Sequence, residues 1–203
     1  MVDRQPLKFN VDFHQITDSI FLGPALLTID IPILKELNIG AVLAFDQLGE
    51  NIGCQFQAED INYKYIPIID FNLPKIADIT ETISYIDKIL NQNKKLYIHC
   101  RGGIGRSNFM LITHFIMKGI SPKIAASKVA FHRGMVGFSP MQELFFDLLQ
   151  KWHDNGREGS IPFPSKKEIQ ATKDGLFFGQ NFSETPYREI NPRYYEDAKL
   201  FLE

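Results

Sequence analysis

Cysteine is nearly absent from this chain: Cys54 and Cys100 are the two among 203 residues. With no CxxC pair and no Cys/His spacing suited to zinc, neither a disulfide framework nor a metal knot organises the fold. Long hydrophobic runs are missing as well. The longest, Phe109 to Met117, is broken by Thr113 and His114 and falls short of the roughly 20 residues that a membrane span needs. The first residues, Met1-Val2-Asp3-Arg4, carry charge where a secretory leader would need apolar side chains. An excess of charge of one sign is also lacking, since 22 basic and 24 acidic residues leave a formal net charge of −2. No global positive field therefore draws the chain to a nucleic-acid backbone or an anionic membrane, and any recognition of phosphate has to be local. These absences predict a reduced, intracellular, cytoplasmic protein with no membrane span, no nucleic-acid partner, no cofactor and no metal, and they leave the oligomeric state open.

What is present is a core. Hydrophobic residues make up 44% of the chain and charged residues 23%, a balance that excludes wholesale disorder and suits one ordinary domain with a modest extension. The composition divides the chain into an N-terminal segment at 1–18, a domain at 19–153 and an extension at 154–203. In the extension Gly, Ser, Pro and charge are interleaved with Phe163, Phe177, Phe178, Phe182, Tyr187, Tyr194, Tyr195 and Phe201. That many rings predict docking on the domain rather than a solvated tail, with Asn191-Pro192 opening a short last helix.

Through the domain, short apolar strands alternate with helical patterns, which predicts an α/β fold with a central, mostly parallel sheet flanked by helices. The expected strands are Ser19 to Leu22, Ala41 to Phe45, Tyr63 to Ile66 and Leu96 to His99. Ile79, Ile83, Ile86 and Leu90 recur at three- and four-residue steps and define an amphipathic helix, with Asp78 and Glu81 as its expected capping box. The residues after Arg106 are apolar on every side and suit a buried central helix. Ser121-Pro122 and Ser139-Pro140 each set an N-cap before a proline at the first helical position, and Leu144, Leu148, Leu149 and Trp152 give the last helix its inward stripe.

Chemistry concentrates in His99-Cys100-Arg101-Gly102-Gly103-Ile104-Gly105-Arg106-Ser107. Three glycines in this run let the backbone curl so that successive N–H groups converge, and the helix that follows adds its positive end. The result is a cradle for a tetrahedral dianion, formed by the backbone of Arg101, Gly102, Gly103, Ile104 and Gly105 and closed by Arg106. The same groups stabilise a thiolate on Cys100, making it an in-line nucleophile toward a bound phosphoryl group. Arg106 is suited to hold two equatorial oxygens as charge spreads onto them, and Ser107 to donate to the departing sulfur. His99 is read as fixing the Cys100 backbone, because neighbours on a strand face opposite ways. A Walker loop would need a lysine that this run does not contain, and the dinucleotide fingerprint would need glycine where Asn108 stands.

His-Cys-x-x-Gly-x-x-Arg-Ser resembles the signature of the cysteine-based protein phosphatases, a pattern that chance usage would yield in fewer than ~1 in 10^4 chains of this length. The run is most similar to the dual-specificity branch, including the cyclin-dependent-kinase-associated and cell-division-cycle phosphatases. The resemblance extends from about Ser19 to Trp152 through Ser-Ile-Phe-Leu-Gly, Leu34 to Ile39 as a helix leading into a strand, Ile66-Pro67-Ile68-Ile69-Asp70, and Arg133 through Gln142. It implies a phosphotyrosine-phosphatase-like fold. It also implies a general acid, later a base, at Asp70 in Asp70-Phe71-Asn72-Leu73-Pro74, and water positioning by Gln142.

Plainer readings stand beside these. Cys54 reads as a small buried hydrophobe. Gln142, three residues after Ser139, is placed to close a capping box. Arg101 reads as a surface charge at the mouth of the site, and Arg133 as a structural bond to the loop or to an acid. The expected function is hydrolysis of phosphomonoesters on a phosphorylated protein, phosphotyrosine and phosphoserine/threonine alike, through a phosphocysteine. The alternatives are a phosphoinositide or RNA 5′-phosphatase on the same chemistry, and a phosphate-binding pseudo-enzyme or adaptor. Family members that act on highly charged lipids tend to carry lysines inside this loop, and here its charged residues are Arg101 and Arg106, so the resemblance implies the protein substrate.

Overall fold

A computed structural model describes residues 12–46, 52–134 and 136–177, with 172–177 as backbone alone. The strands are β1 (His14–Gln15), β2 (Ile20–Gly23), β3 (Ile39–Ala44), β4 (Asn62–Tyr65) and β5 (Lys95–His99). The helices are α1 (Ile31–Glu36), α2 (Ile52–Ala58), α3 (Ile76–Asn91), α4 (Arg106–Met117), α5 (Pro122–Arg133), α6 (Pro140–Asp154) and α7 (Lys166–Phe177). The strands form one sheet in the order β1-β2-β5-β3-β4. Only the β1–β2 pairing among these is antiparallel, so the sheet is mostly parallel, as the alternating pattern predicts.

Both faces of the sheet are covered, and the period-2 alternation of each strand sorts its side chains between two cores. Leu22, Ala41, Leu43, Leu96 and Ile98 join the larger core under α3 to α6, with Phe109, Leu111 and Phe145. Phe21, Val42 and Tyr97 join the smaller one, with Leu34 of α1 and Phe56 of α2. Helix α4 is buried on nearly every face from Arg106 to Ile116, as the spread of apolar residues around all its sides predicts. Truncating one of its rings, such as Phe109, removes about 3–5 kcal/mol of stability.

The two proline-led helices begin as expected. The Ser121 hydroxyl accepts from Ile124 N–H and the Ser139 hydroxyl from Gln142 N–H, with Pro122 and Pro140 in the first turn. Four details differ from the sequence expectation. Helix α3 starts at Ile76, and Asp78 is its third residue, with its carboxylate accepting from Lys75 N–H at 3.2 Å. Glu81 is instead paired with Lys64 across to β4. The helix expected over Leu34 to Ile39 is α1, which ends at Glu36; Asn38 turns the chain with φ 57° and Ile39 already belongs to β3. Cys54 is exposed, contrary to the buried reading. In α2 the inward residues are Ile52 and Phe56, four apart, and Cys54 lies between them on the opposite face.

Of the aromatic extension, Phe163 packs its ring on Phe145 with centroids 5.6 Å apart, and α7 lies beside α6. The helix expected from Asn191-Pro192, and the rings from Phe178 to Phe201, fall outside the described residues, as does the segment 1–11.

Candidate active site

The parallel strands β2, β3, β4 and β5 all point their carboxyl ends the same way, the end of such a sheet at which ligands bind. Cys100 follows β5, the strand between β2 and β3, and the chain then curls through five residues into α4. What shapes this loop is how its carbonyls are held. His99 Nδ1–H donates to the Cys100 carbonyl at 3.1 Å, and Ala25 N–H donates to the Arg101 carbonyl at 2.9 Å. The buried Arg133 side chain donates to the Gly102 and Gly103 carbonyls at 3.4 and 2.9 Å. Ile104 O accepts from Gly137 N–H at 3.2 Å and from the Asn108 amide at 2.7 Å, and Gly105 O from Phe109 N–H at 2.9 Å. Every carbonyl from 100 to 105 is thus engaged.

The N–H groups are left for something else. None from residues 101–106 is donated to another protein group among the described residues, and together they form the anion-binding arrangement that glycine-rich turns before a helix provide. Glycine is required at 103, where φ is +69° and an added Cβ would press into the Gly23 carbonyl and sit 2.8 Å from Pro24 N. Arg133 thus makes both bonds weighed for it, since it also pairs with Asp12 at 2.5 Å. Burial pushes the Asp12 carboxyl up, but the bonds from His14 and Arg133 together hold it below its usual range.

Cys100 lies buried at the bottom of a pocket lined by Asp70, Phe71, Gly102, Ile104, Gly105, Arg106, Gly137 and Gln142. Its Sγ is 3.5 Å from the buried Ser107 Oγ. His99 behind it is neutral, because burial pushes its imidazole down to about 4. A carbonyl can only accept, so the bond to Cys100 O fixes the proton on Nδ1.

The Arg106 guanidinium is buried and surrounded by acceptors. Its Nη1 donates to Ile68 O at 2.9 Å and reaches Phe45 O at 3.5 Å, while Nη2 donates to Asp46 at 2.9 Å and to Asp70 at 3.3 Å. Asp70 Oδ1 lies 3.2 Å from Nε and accepts from Phe71 N–H at 3.1 Å. The aspartate of the Asp-x-x-x-Pro segment is therefore brought to the pocket of Cys100, about thirty residues away in sequence. Gln142 is there too. Its Oε1 accepts from Ser139 N–H at 3.0 Å, completing the capping box, and its Nε2 donates to Asn72 O at 3.2 Å, tying α6 to the Asp70 loop. The Arg101 side chain does not enter the pocket. It is exposed, with Nε donating to Asp46 at 3.1 Å.

Sequence reasoning placed one participant differently and left another without a role at this site. Asp46, weighed only as an alternative acid to Asp70, binds both arginines, and the signal for it was an acidic residue just past a strand that neighbours the strand leading to Cys100. Phe71, exposed on the pocket wall with φ 59°, carried no local signal, because a bulky residue gives no warning of a left-handed backbone.

Residues 25–120, just under half of the chain, match the family described as "Tc-R-P: Polymorphic toxin system, DSP-PTPase phosphatase". The phosphatidylglycerophosphate phosphatase PTPMT2 of Arabidopsis thaliana is 30% identical over 107 residues, covering 51% of this chain and 47% of the relative. Human dual specificity protein phosphatase 9 is 31% identical over 108 residues, covering 51% and 27%. The chain spans less than half the length of these relatives. Among solved structures, Tk-PTP in its active form superposes with a TM-score of 0.63 at 19% identity, over 70% of this chain and 99% of that one, which shows a shared fold. In fold, in its loop signature and over the matched residues the chain is thus similar to the cysteine-based dual-specificity phosphatases.

Proposed function

We propose that the protein hydrolyses phosphomonoesters on phosphorylated proteins, with Cys100 as nucleophile. The observation that carries this reading is the buried Cys100 sulfur under a loop whose carbonyls are all engaged and whose N–H groups are not. The loop amides and Arg106 bind the phosphate, and the Cys100 thiolate attacks phosphorus. The bond to the leaving oxygen breaks as Asp70 delivers a proton to that oxygen. In the second half Asp70 takes a proton from water, the water oxygen attacks phosphorus, and the S–P bond breaks with Ser107 donating to the sulfur. Gln142 holds the Asp70 loop through Asn72 and keeps one amide hydrogen for that water.

The substrate reading has one specific rival. Ile69 and Phe71 are exposed at the acid side of the pocket, and the Arabidopsis relative is named for a lipid phosphate, so a phosphate ester on an apolar body also suits the rim. Phosphopeptides, phosphatidylglycerophosphate, a phosphoinositide and a 5′-phosphorylated RNA, assayed side by side, decide between them. The protein reading predicts the highest kcat/KM on a phosphopeptide, and a lipid preferred tenfold would overturn it. Cys100→Ser abolishes turnover of whichever substrate is used while phosphate still binds; turnover retained by that variant contradicts the nucleophile.

A further inference from the structure

Two carboxylates touch the Arg106 guanidinium, and they are held in different ways. Asp46 stands two residues past the end of β3, and the residue before it, Phe45, donates its N–H to His99 O at 2.9 Å, so its backbone is fixed beside β5, the strand that leads to Cys100. Its side chain is only 18% exposed, and its Oδ2 accepts both from Arg106 Nη2 and from Arg101 Nε. Asp70 sits on a loop, its side chain is 50% exposed, and its two oxygens lie at longer range, 3.3 and 3.2 Å, along the Nη2–Nε edge of Arg106. Although one of those oxygens is close to Nε, Nε makes no hydrogen bond.

A guanidinium recognises phosphate best through two parallel N–H groups in one plane. With Nη1 on Ile68 O and Nη2 on Asp46, rotation of that plane is blocked from two sides, and the Nε edge is presented where Asp70 now lies. Resting on the function proposed above, we propose that Asp46 is a positioning residue: it stays on Arg106 through the reaction and fixes the plane in which Arg106 holds the transferring phosphoryl group, while Asp70 is the carboxylate that the substrate displaces. Asp46 also lies between two like charges, Arg101 and Arg106, and offsets their repulsion.

The test is Asp46→Asn, which keeps the shape and an acceptor oxygen, with Asp46→Ser as a second variant should the first fail to fold. A series of aryl phosphates of graded leaving-group basicity is used, with inorganic phosphate as inhibitor. A positioning role predicts a loss in kcat of about tenfold to a hundredfold, the same for every leaving group. KM and phosphate inhibition then shift by less than about threefold, because removal of a negative charge offsets the looser contact. The alkaline limb of the kcat–pH profile stays where it is. An unchanged kcat overturns the proposal. A loss that steepens with leaving-group basicity also overturns it, since Asp46 would then be the acid itself. So does a raised KM at constant kcat. Absence of turnover in the unaltered protein would instead sink the proposed function, so the two failures are told apart.

Discussion

The loop at 100–106 and the loop at 69–74 face each other across the pocket, and they are built on opposite principles. In the first, each carbonyl is engaged, its central glycine is wedged against Gly23, and a buried arginine braces it from behind. In the second, Ile69 and Phe71 are exposed, Phe71 has a left-handed backbone, and the Asp70 carboxylate is held by longer bonds to Arg106. A cradle that must present several N–H groups to one anion tolerates little reorganisation, because its worth lies in dipoles already aimed. An acid that protonates one molecule and deprotonates another has to be able to shift. The difference in construction therefore matches the difference between the chemical tasks proposed for the two loops.

Breaking the side that carries Asp70 has the largest expected effect on rate. Asp70→Asn lowers kcat by about 10^2 to 10^4-fold on a phosphate ester with a basic leaving group and far less on one that leaves without a proton. The same variant removes a negative charge from the seat the phosphate takes, so inhibition by inorganic phosphate strengthens. Steady-state kinetics with the two esters check both halves, and an equal loss on the two would assign Asp70 another role.

Next comes the rigid side. Gly103→Ala forces a Cβ into the Gly23 carbonyl at a φ that alanine resists, and on the order of 1–3 kcal/mol of strain follows from each cause. A fall in thermal midpoint together with weakened phosphate binding is expected. Wild-type stability would show that the loop is less constrained than its contacts indicate.

Acid probes the same loop through His99. Its imidazole is held near 4 in the fold, against about 6.5 in the unfolded chain. Below pH 6.5 the unfolded state therefore binds a proton that the folded state refuses, and stability falls with pH until both are protonated below about 4. The loss is on the order of 3 kcal/mol. His114, lowered by burial although Asp87 raises it, adds to the slope in the same direction. Unfolding by urea between pH 7 and 4 measures the slope, and His99→Asn flattens it in part.

The smallest effect sharpens the contrast from the other end. Phe71→Gly relieves a left-handed backbone at an exposed site and raises stability by up to about 1 kcal/mol, where a glycine placed at most other positions would lower it.

The sequence and the structure agree where the signal is local. Ser121-Pro122 and Ser139-Pro140 are caps because a hydroxyl three residues before an amide satisfies it regardless of tertiary context. The loop from Cys100 to Arg106 is legible for a similar reason, since its glycines and its cysteine are contiguous. Contacts between distant segments were legible only in part. Arg133 was read as a bond to the loop or to an acid, but that it makes both, with Asp12 as the acid, and that Asp46 reaches Arg106 across 60 residues, depend on which strand lies beside which, and that order is set by packing. Helix α2 went unread because two turns with Ile52 and Phe56 inward are too short for periodicity to register, and with it went the exposure of Cys54.

The central claim is that phosphate passes through the Cys100 sulfur. Asp70→Asn, slowed in the step that activates water, is mixed with an aryl phosphate and quenched in acid within the first turnovers, and its peptides are weighed. One added phosphoryl group on the peptide carrying Cys100 is the expected result, lost when Cys100→Ser is combined with it. Hydrolysis that continues with no phosphoryl group ever found on Cys100 would contradict the account.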